Sequence, residues 1–157
     1  MVTFATLCYV FRRGKVLLLF KSKGLFGEDR WNAPGGKLLS GEAPEAAAFR
    51  ETFEETGVRV QNLHFHGVLN FYLGSRRKLD QIVFVFSSKL AKGRLRQSVE
   101  GQLKWFDKSR IPYNQMWGDD KVWLPLLFQG KSFVGSFYFS NRYQKLEGYS
   151  LKETEPR

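Results

Sequence analysis

The sequence contains one cysteine in 157 residues, and no apolar run approaches the roughly 20 residues that a membrane-spanning helix needs. Because Cys8 has no second cysteine to pair with, an intrachain disulfide is excluded, which fits a reducing compartment. The N-terminus lacks the charged segment and apolar stretch of a signal peptide. We therefore expect a cytoplasmic protein that does not bind a membrane.

Acidic residues are also scarce, since 15 Asp and Glu stand against 25 Lys and Arg, and the formal net charge is +10. This balance favours polyanionic partners such as nucleotides or nucleic acid, although it also serves solubility. Repeats, low-complexity tracts and Ser- or Gly-rich linkers are absent. The length therefore predicts one domain, residues 1–157, with a single core.

Residue patterns predict strands interrupted by two helices. One helix is expected from about Pro44 to Thr56, and a second from Asp119-Asp120 to near Gly130. Strands before, between and after the helices predict a layered α+β fold. The predicted strands are Thr3 to Phe11, Lys15 to Lys21, Leu63 to Tyr72, Gln81 to Ser88, Leu103 to Phe106 and Phe133 to Phe139.

Three of the few acidic residues share one face of the first helix. Glu51, Glu54 and Glu55 stand at positions i, i+3 and i+4, so their carboxylates project together. Like charges at this spacing destabilise a bare helix. A hard cation such as Mg²⁺ removes the repulsion, prefers oxygen ligands and is often shared with substrate phosphates. The spacing therefore predicts a Mg²⁺ site, in which Mn²⁺ is an alternative ion.

The residues around these glutamates resemble the signature of the Nudix hydrolases, Gly-x5-Glu-x7-Arg-Glu-U-x-Glu-Glu-x-Gly-U, where U is bulky and apolar. Thr52 departs from it at the first U position. The resemblance implies a Nudix fold, an α/β/α sandwich with a central mixed β-sheet, and hydrolysis of a diphosphate in a nucleotide. The matching residues are Gly36, Glu42, Arg50, Glu51, Glu54, Glu55, Gly57 and Val58.

The resemblance also implies roles for these residues. Arg50 is expected to orient a glutamate by a charge-assisted hydrogen bond, which equally makes it a salt-bridge partner in the helix. Glu42 is expected to hold the loop more than to bind metal. Glu100 precedes Trp105 in a loop-like segment, and in several Nudix enzymes such a glutamate completes the metal site or acts as base; otherwise it is a surface residue. The predicted catalytic residues are Arg50, Glu51, Glu54, Glu55 and Glu100, and the predicted metal ligands are Gly36, Glu51, Glu54, Glu55 and Glu100.

Segments outside the signature resemble the branch of the family that hydrolyses oxidised purine nucleoside triphosphates. They span residues 30–37, 105–107, 111–113, 116–127 and 133–151. This resemblance implies conversion of substrates such as 8-oxo-dGTP and 2-hydroxy-dATP to the monophosphate and pyrophosphate, which sanitises the nucleotide pool. Two features depart from this branch and bear on base preference. They are Ala33-Pro34 and the loop at residues 24–30, which is one residue longer than the usual loop of the branch.

The residue types suit a purine pocket. Asn32 offers an acceptor and two donors, and Trp117 offers a flat face for a base, worth roughly 1–3 kcal/mol. Burial and mutual repulsion should raise a pKa in the pair Asp119-Asp120, so that a protonated carboxyl can donate to a base. Alternatively, Asp119 only caps the second helix. The predicted substrate-binding residues are Thr6, Lys21, Phe26, Asn32, Phe71, Trp117, Asp119 and Asp120.

The first helix carries a conflict between pattern and family. Phe49 and Phe53 at i, i+4 would be buried by pattern alone. The family register instead turns Ala48 and Thr52 inward and leaves the two phenylalanines as an exposed patch.

Two other functions fit the sequence. One is a Nudix hydrolase that acts on RNA 5′ ends or dinucleoside polyphosphates, for which the charge of +10 makes RNA credible. The other is a non-catalytic nucleotide- or nucleic-acid-binding module, whose hallmark would be lost glutamates, and none is lost here. We expect a monomer that binds a purine nucleoside triphosphate, with nucleic acid as a further possible partner.

Overall fold

The computed structural model describes residues 1–22, 24–96 and 101–156, and within these ranges it contains eleven strands and two α-helices. None of the described helices is long and apolar enough to cross a membrane. The strands are β1 Thr3–Arg12, β2 Lys15–Lys21, β3 Trp31–Asn32, β4 Gly35–Lys37, β5 Arg59–Gln61, β6 His64–Leu73, β7 Lys78–Ser88, β8 Leu90–Lys92, β9 Gly101–Asp107, β10 Ser132–Phe139 and β11 Leu146–Thr154, and the helices are α1 Pro44–Thr56 and α2 Asp120–Phe128.

Nine of these strands form one mixed sheet. Its order is β11-β10-β6-β7-β1-β2-β3, with β4 paired to β1 and β9 paired to β2. The β1–β7 and β10–β6 pairs are parallel, whereas the other pairs are antiparallel. Strands β5 and β8 pair with each other separately. The predicted α+β fold with a mixed central sheet is confirmed.

The two helices cover opposite faces of the sheet because side chains alternate along its strands. Tyr9 of β1 packs in one core with Trp123 of α2, and their rings meet edge to face at 5.7 Å. Cys8 and Val10 point the other way, into a second core that contains Ala48 of α1. The sheet is therefore the middle layer of an α/β/α sandwich.

Helix α1 follows the family register. Burial of Phe49, which the pattern alone predicts, is wrong, and the expected exposed patch is limited to Phe49 because Phe53 is half-buried. Ala48 and Thr52 are fully buried, whereas Phe49 is 42% exposed. Phe53 packs beneath two guanidinium groups, those of Arg59 at 4.3 Å and Arg96 at 4.9 Å. Small inward side chains let α1 lie close to the sheet, which brings its acidic face against β4.

Five strands were not predicted from the sequence. Strands β3, β4, β5 and β8 have two or three residues, which is too short to show an alternating pattern. Strand β11 is longer but is polar and largely exposed, so no apolar face marks it. It pairs along β10 and completes the sheet at that edge.

Two buried threonines in α1 predict opposite effects of the same substitution. The Thr52 hydroxyl has no nitrogen or oxygen hydrogen-bond partner among the described residues and faces the weakly polar Cys8 thiol. Thr52→Val should therefore raise the free energy of unfolding by about 1 kcal/mol.

The Thr56 hydroxyl donates to the Thr52 carbonyl at 2.6 Å and accepts from the Val58 N–H at 3.1 Å. Thr56→Val should lower the free energy of unfolding by about 1–3 kcal/mol.

Urea unfolding of the two variants and the unaltered protein measures this difference. If both substitutions destabilised the protein equally, burial of the Thr52 hydroxyl against the Cys8 thiol would carry no cost and the assignment would be wrong.

Candidate functional site

A cavity of about 310 Å³ opens against β1, β3, β4 and the start of α2. Its lining contains every residue predicted to bind substrate, drawn from six separate segments of the chain. The cavity is also lined by Ala33, Gly35 and Gly36. Because Gly36 is the first residue of the signature, the signature begins at the cavity. The predicted residues that line it are Thr6, Lys21, Phe26, Asn32, Phe71, Trp117, Asp119 and Asp120.

The pair Asp119-Asp120 is almost fully buried in this lining, with the residues 3% and 2% exposed. Asp119 accepts a hydrogen bond from the Trp123 indole at 2.7 Å and makes no side-chain cap for α2. Burial raises the pKa of Asp119 to about 6. Burial and the neighbouring Asp119 charge raise the pKa of Asp120 well above its ordinary value. A carboxyl at this position is therefore set to hold a proton and to donate it in a hydrogen bond.

The Asp120 Oδ2 atom is buried without a hydrogen-bond partner in the described part of the chain. Thr6 Oγ1, also on the cavity lining, has the same property. Because an unpartnered buried polar atom is costly, two such atoms on one cavity indicate a polar ligand.

The Trp117 indole is in contact with the loop at residues 24–30. Phe26 stacks on it with ring centroids 5.4 Å apart, and the Arg30 guanidinium lies 4.2 Å from its centroid. Phe26 is nevertheless 68% exposed. A base that stacks on Trp117 would therefore take the place of one of these groups.

Asn32 uses its acceptor locally, because its Oδ1 accepts the Ala33 N–H at 2.8 Å. The amide nitrogen is left as the donor for a ligand in the cavity. The second lone pair of the oxygen stays open to a ligand, so the expected contact through both donor and acceptor remains a prediction.

Sequence reasoning missed other residues on the cavity lining, notably Gln81 and Tyr143. Alternation along β7 places Gln81 on the face of Val83 and Val85, a signal that could have found it. Tyr143 lies in a turn after β10, and nothing in the sequence pattern directs it inward.

Arg50 connects the acidic face of α1 to the preceding loop. Its Nε and Nη2 donate to both oxygens of Glu42 at 2.8 and 2.9 Å. Its Nη1 donates to Glu51 at 2.7 Å and to Glu54 at 3.3 Å, and its Nη2 also donates to the Lys37 carbonyl at 3.1 Å. These contacts fit the expected orienting role. The Arg50 hydrogen bonds, with that of the Leu39 N–H, lower the pKa of Glu42 to about 2.

Two glycines allow this closeness. A Cβ at Gly35 would lie 2.0 Å from the Thr6 carbonyl oxygen across the β1–β4 pair. A Cβ at Gly36 would lie 2.6 Å from the Glu51 carboxyl carbon. A side chain at Gly35 would push β4 away from the β1 backbone, and one at Gly36 would displace the Glu51 carboxylate.

Glu55 faces the cavity wall rather than solvent, with 3% of its side chain exposed. Its Oε1 accepts the Gly35 N–H at 2.7 Å, and its Oε2 pairs with Lys21 Nζ at 3.1 Å. Glu55, a predicted metal ligand, is therefore paired with Lys21, a predicted substrate-binding residue, at the boundary between α1 and the cavity.

The donor set fits a hard divalent cation, since Glu51, Glu54 and Glu55 supply only oxygen atoms and the Gly36 backbone lies against the Glu51 carboxyl. Arg50 and Lys21 pair with these carboxylates, and no described group of three His, Cys, Asp or Glu is clustered as a metal site. A cation would take over their neutralising role. Glu100 lies outside the described residues.

The burial of Asp119 predicts a specific pH dependence of stability. Between the ordinary Asp pKa of 3.8 and the folded value of about 6, the folded state holds more protons than the unfolded state. The free energy of unfolding therefore falls as pH rises through this window. Asp119→Asn should gain stability relative to the unaltered protein from pH 4 to 6, by up to about 3 kcal/mol, and hold that gain above pH 6.

Urea unfolding at pH 4 to 8 measures this difference. Asp107→Asn is the matched control, because Asp107 is exposed at the end of β9. If the free energy of unfolding changed with pH in the same way in both variants, burial of Asp119 would not be the cause.

Comparisons with known proteins agree with this geometry. The NUDIX domain profile matches residues 1–127, more than half of the chain. The chain is 40% identical over 151 residues to the oxidized purine nucleoside triphosphate hydrolases of Danio rerio and Mus musculus, which covers 96% of this chain and 94% of each relative. The mutator MutT protein from Bacillus halodurans superposes with a TM-score of 0.86 at 28% identity, covering 96% of this chain and 97% of that one. On its signature, its fold and these relatives, the chain belongs to the Nudix family of hydrolases.

Proposed function

We propose that the protein hydrolyses oxidised purine nucleoside triphosphates, of the 8-oxo-dGTP and 2-hydroxy-dATP type, to the monophosphate and pyrophosphate. The observation that carries this proposal is that the acidic face of α1 contacts residues that line the cavity. Gly36 lines the cavity and lies against Glu51, and Glu55 pairs with Lys21 on the same lining. A purine in the cavity thus has its phosphates directed to the acidic helix. The names of the two vertebrate relatives support this substrate class.

The base is held by groups whose hydrogen-bonding roles are set by the protein. Asn32 presents its amide N–H groups and the second lone pair of its oxygen, whose first lone pair is engaged by the Ala33 N–H. Asp119 and Asp120 present one proton between them at the buried end, so the pair both donates and accepts. Purines oxidised at different positions differ in edge donors and acceptors. A shared proton that changes place lets one site accept both.

Nudix hydrolases generally use divalent metal ions. In our proposal the ion is Mg²⁺, held by Glu51, Glu54, Glu55 and the Gly36 carbonyl, and Mn²⁺ takes the same oxygen ligands. When bound, such an ion offsets charge on the phosphate oxygens and acidifies a bound water. Glu100 belongs to this proposed site as a further ligand or as the base.

The basic side chains around the metal ligands orient the carboxylates and offset negative charge. Arg50 holds Glu51 and Glu54 by hydrogen bonds, so their carboxylates keep one orientation on α1. Lys21 and Lys37 line the cavity beside the acidic face and offset phosphate charge. Preorganised charges of this kind lower the barrier because they need not rearrange during the reaction.

RNA 5′ ends are a weaker candidate substrate. The net charge of +10 favours polyphosphates of any kind, whereas the two buried aspartates on the cavity lining favour recognition of a base. In our proposal the protein acts as a cytoplasmic monomer on free nucleotides.

Glu55→Gln should lower kcat for 8-oxo-dGTP at least ~100-fold in saturating Mg²⁺, because it removes a metal-binding charge at nearly constant shape. The amide can still accept from the Gly35 N–H, so the fold and monophosphate binding should persist. Unaltered protein should release the monophosphate and pyrophosphate, measured by chromatography of the products.

Glu45→Gln is the matched control, since Glu45 is an exposed carboxylate in the first turn of the same helix. Near-normal turnover by Glu55→Gln would remove Glu55 from the site, and orthophosphate as the first product would contradict the proposed reaction.

A further inference from the structure

Three side chains form a hydrogen-bonded chain at the cavity. Gln81 Nε2 donates to the Tyr143 hydroxyl at 2.9 Å, and that hydroxyl donates to Asp80 Oδ2 at 2.6 Å. A carboxylate only accepts, so the single Tyr143 proton is committed to Asp80. Gln81 must then turn its NH₂ group to Tyr143, and the orientation of its amide is fixed. The Oε1 of Gln81 takes no part in this chain.

A β-bulge makes the arrangement possible. Along the β6–β7 pair, Phe71 lies opposite Gln81, but Tyr72 lies opposite Leu79, so Asp80 is an extra residue in β7. In a regular strand, neighbouring side chains point to opposite faces and could not meet one hydroxyl. The bulge re-aims Asp80 so that it and Gln81 both reach Tyr143.

Tyr143 is held in place against its own backbone preference. Arg142 and Tyr143 have φ of 61° and 58°, in the left-handed region that costs energy for residues other than glycine. Ring contacts with Trp117 at 5.7 Å and Phe139 at 5.2 Å hold the side chain in the cavity wall. Burial and the bond to Asp80 raise the pKa of Tyr143, so its hydroxyl remains a donor at neutral pH. Strained residues that persist in this way are concentrated at functional sites.

Gln81 lies at the more exposed end of the inward face of β7 and lines the cavity there. Along the inward face of β7, burial decreases from Val85, which is fully buried, through Val83 at 6% to the half-buried Gln81. Asp119 and Asp120 lie at the buried end. A nucleotide whose base meets the aspartates, as in the proposed function, therefore places its sugar beside Gln81.

We propose that Gln81 binds the sugar of the substrate, with its oriented Oε1 accepting a hydrogen bond from a sugar hydroxyl. Tyr143 and Asp80 are positioning residues that hold the amide in this orientation. The inference rests on the proposed function for the placement of the base. It predicts that the protein discriminates between nucleotides by the hydroxyls of the sugar as well as by the oxidised base.

The test compares three substrates, 8-oxo-GTP, 8-oxo-dGTP and the 2′,3′-dideoxy analogue, in the unaltered protein and in Gln81→Leu. In the unaltered protein, loss of the contacted hydroxyl should lower kcat/KM about three- to tenfold, as expected for one neutral hydrogen bond. In Gln81→Leu the three substrates should be hydrolysed with nearly equal kcat/KM. Tyr143→Phe should reduce the dependence on the hydroxyls partly, because the amide stays but loses its tether.

Gln102→Leu is the matched control, since Gln102 is exposed on β9 and should leave the hydroxyl dependence unchanged. Full hydroxyl dependence in Gln81→Leu would overturn the inference. Calorimetric binding of the three corresponding monophosphates repeats the comparison without turnover. Suppose that the unaltered protein shows no turnover but binds the monophosphates in a hydroxyl-dependent way, and that Gln81→Leu alone loses this dependence. That result would reject the proposed reaction and keep the sugar site.

Discussion

The side chain of Arg50 is the contact on which the rest of the site depends. One guanidinium binds Glu42 through both oxygens, reaches Glu51 and Glu54, and donates to the Lys37 carbonyl. It thereby fixes the loop that follows β4 to the helix that carries the acidic face. Because the pairing lowers the pKa of Glu42 to about 2 and raises that of Arg50, the tie persists across the physiological pH range.

Close approach is the second requirement, and it explains which residues face inward. Gly36 admits the Glu51 carboxyl, and Ala48 lets α1 lie against the sheet. The larger Phe49 is exposed and Phe53 is only half-buried, although the helical pattern alone would bury both. Apolar burial is thus given up on one side of α1 so that its acidic side meets β4. The same placement joins the phosphate end of the site to the cavity.

The sequence predicted α1, the main strands and eight of the residues that line the cavity, because a spaced signature, strong alternation and a family resemblance mark them. It did not predict the Asp80–Gln81–Tyr143 chain, because a bulge and a left-handed turn leave no periodic trace. It also missed β11, which lacks an apolar face. The contact of Phe26 with Trp117 depends on a loop path that no pattern specifies. Regular elements follow from pattern, whereas exceptions to regularity follow from tertiary packing.

The central claim is that the buried end of the cavity selects an oxidised purine whose phosphates then meet the acidic helix. The most direct measurement is kcat/KM in Mg²⁺ for 8-oxo-dGTP and 2-hydroxy-dATP beside dGTP, dATP and 5′-triphosphate RNA. Our account predicts that both oxidised nucleotides are hydrolysed with kcat/KM at least ~10-fold above their normal counterparts and above RNA, the advantage of about one well-placed hydrogen bond or more. Equal rates on normal and oxidised purines, or a preference for RNA, would contradict it.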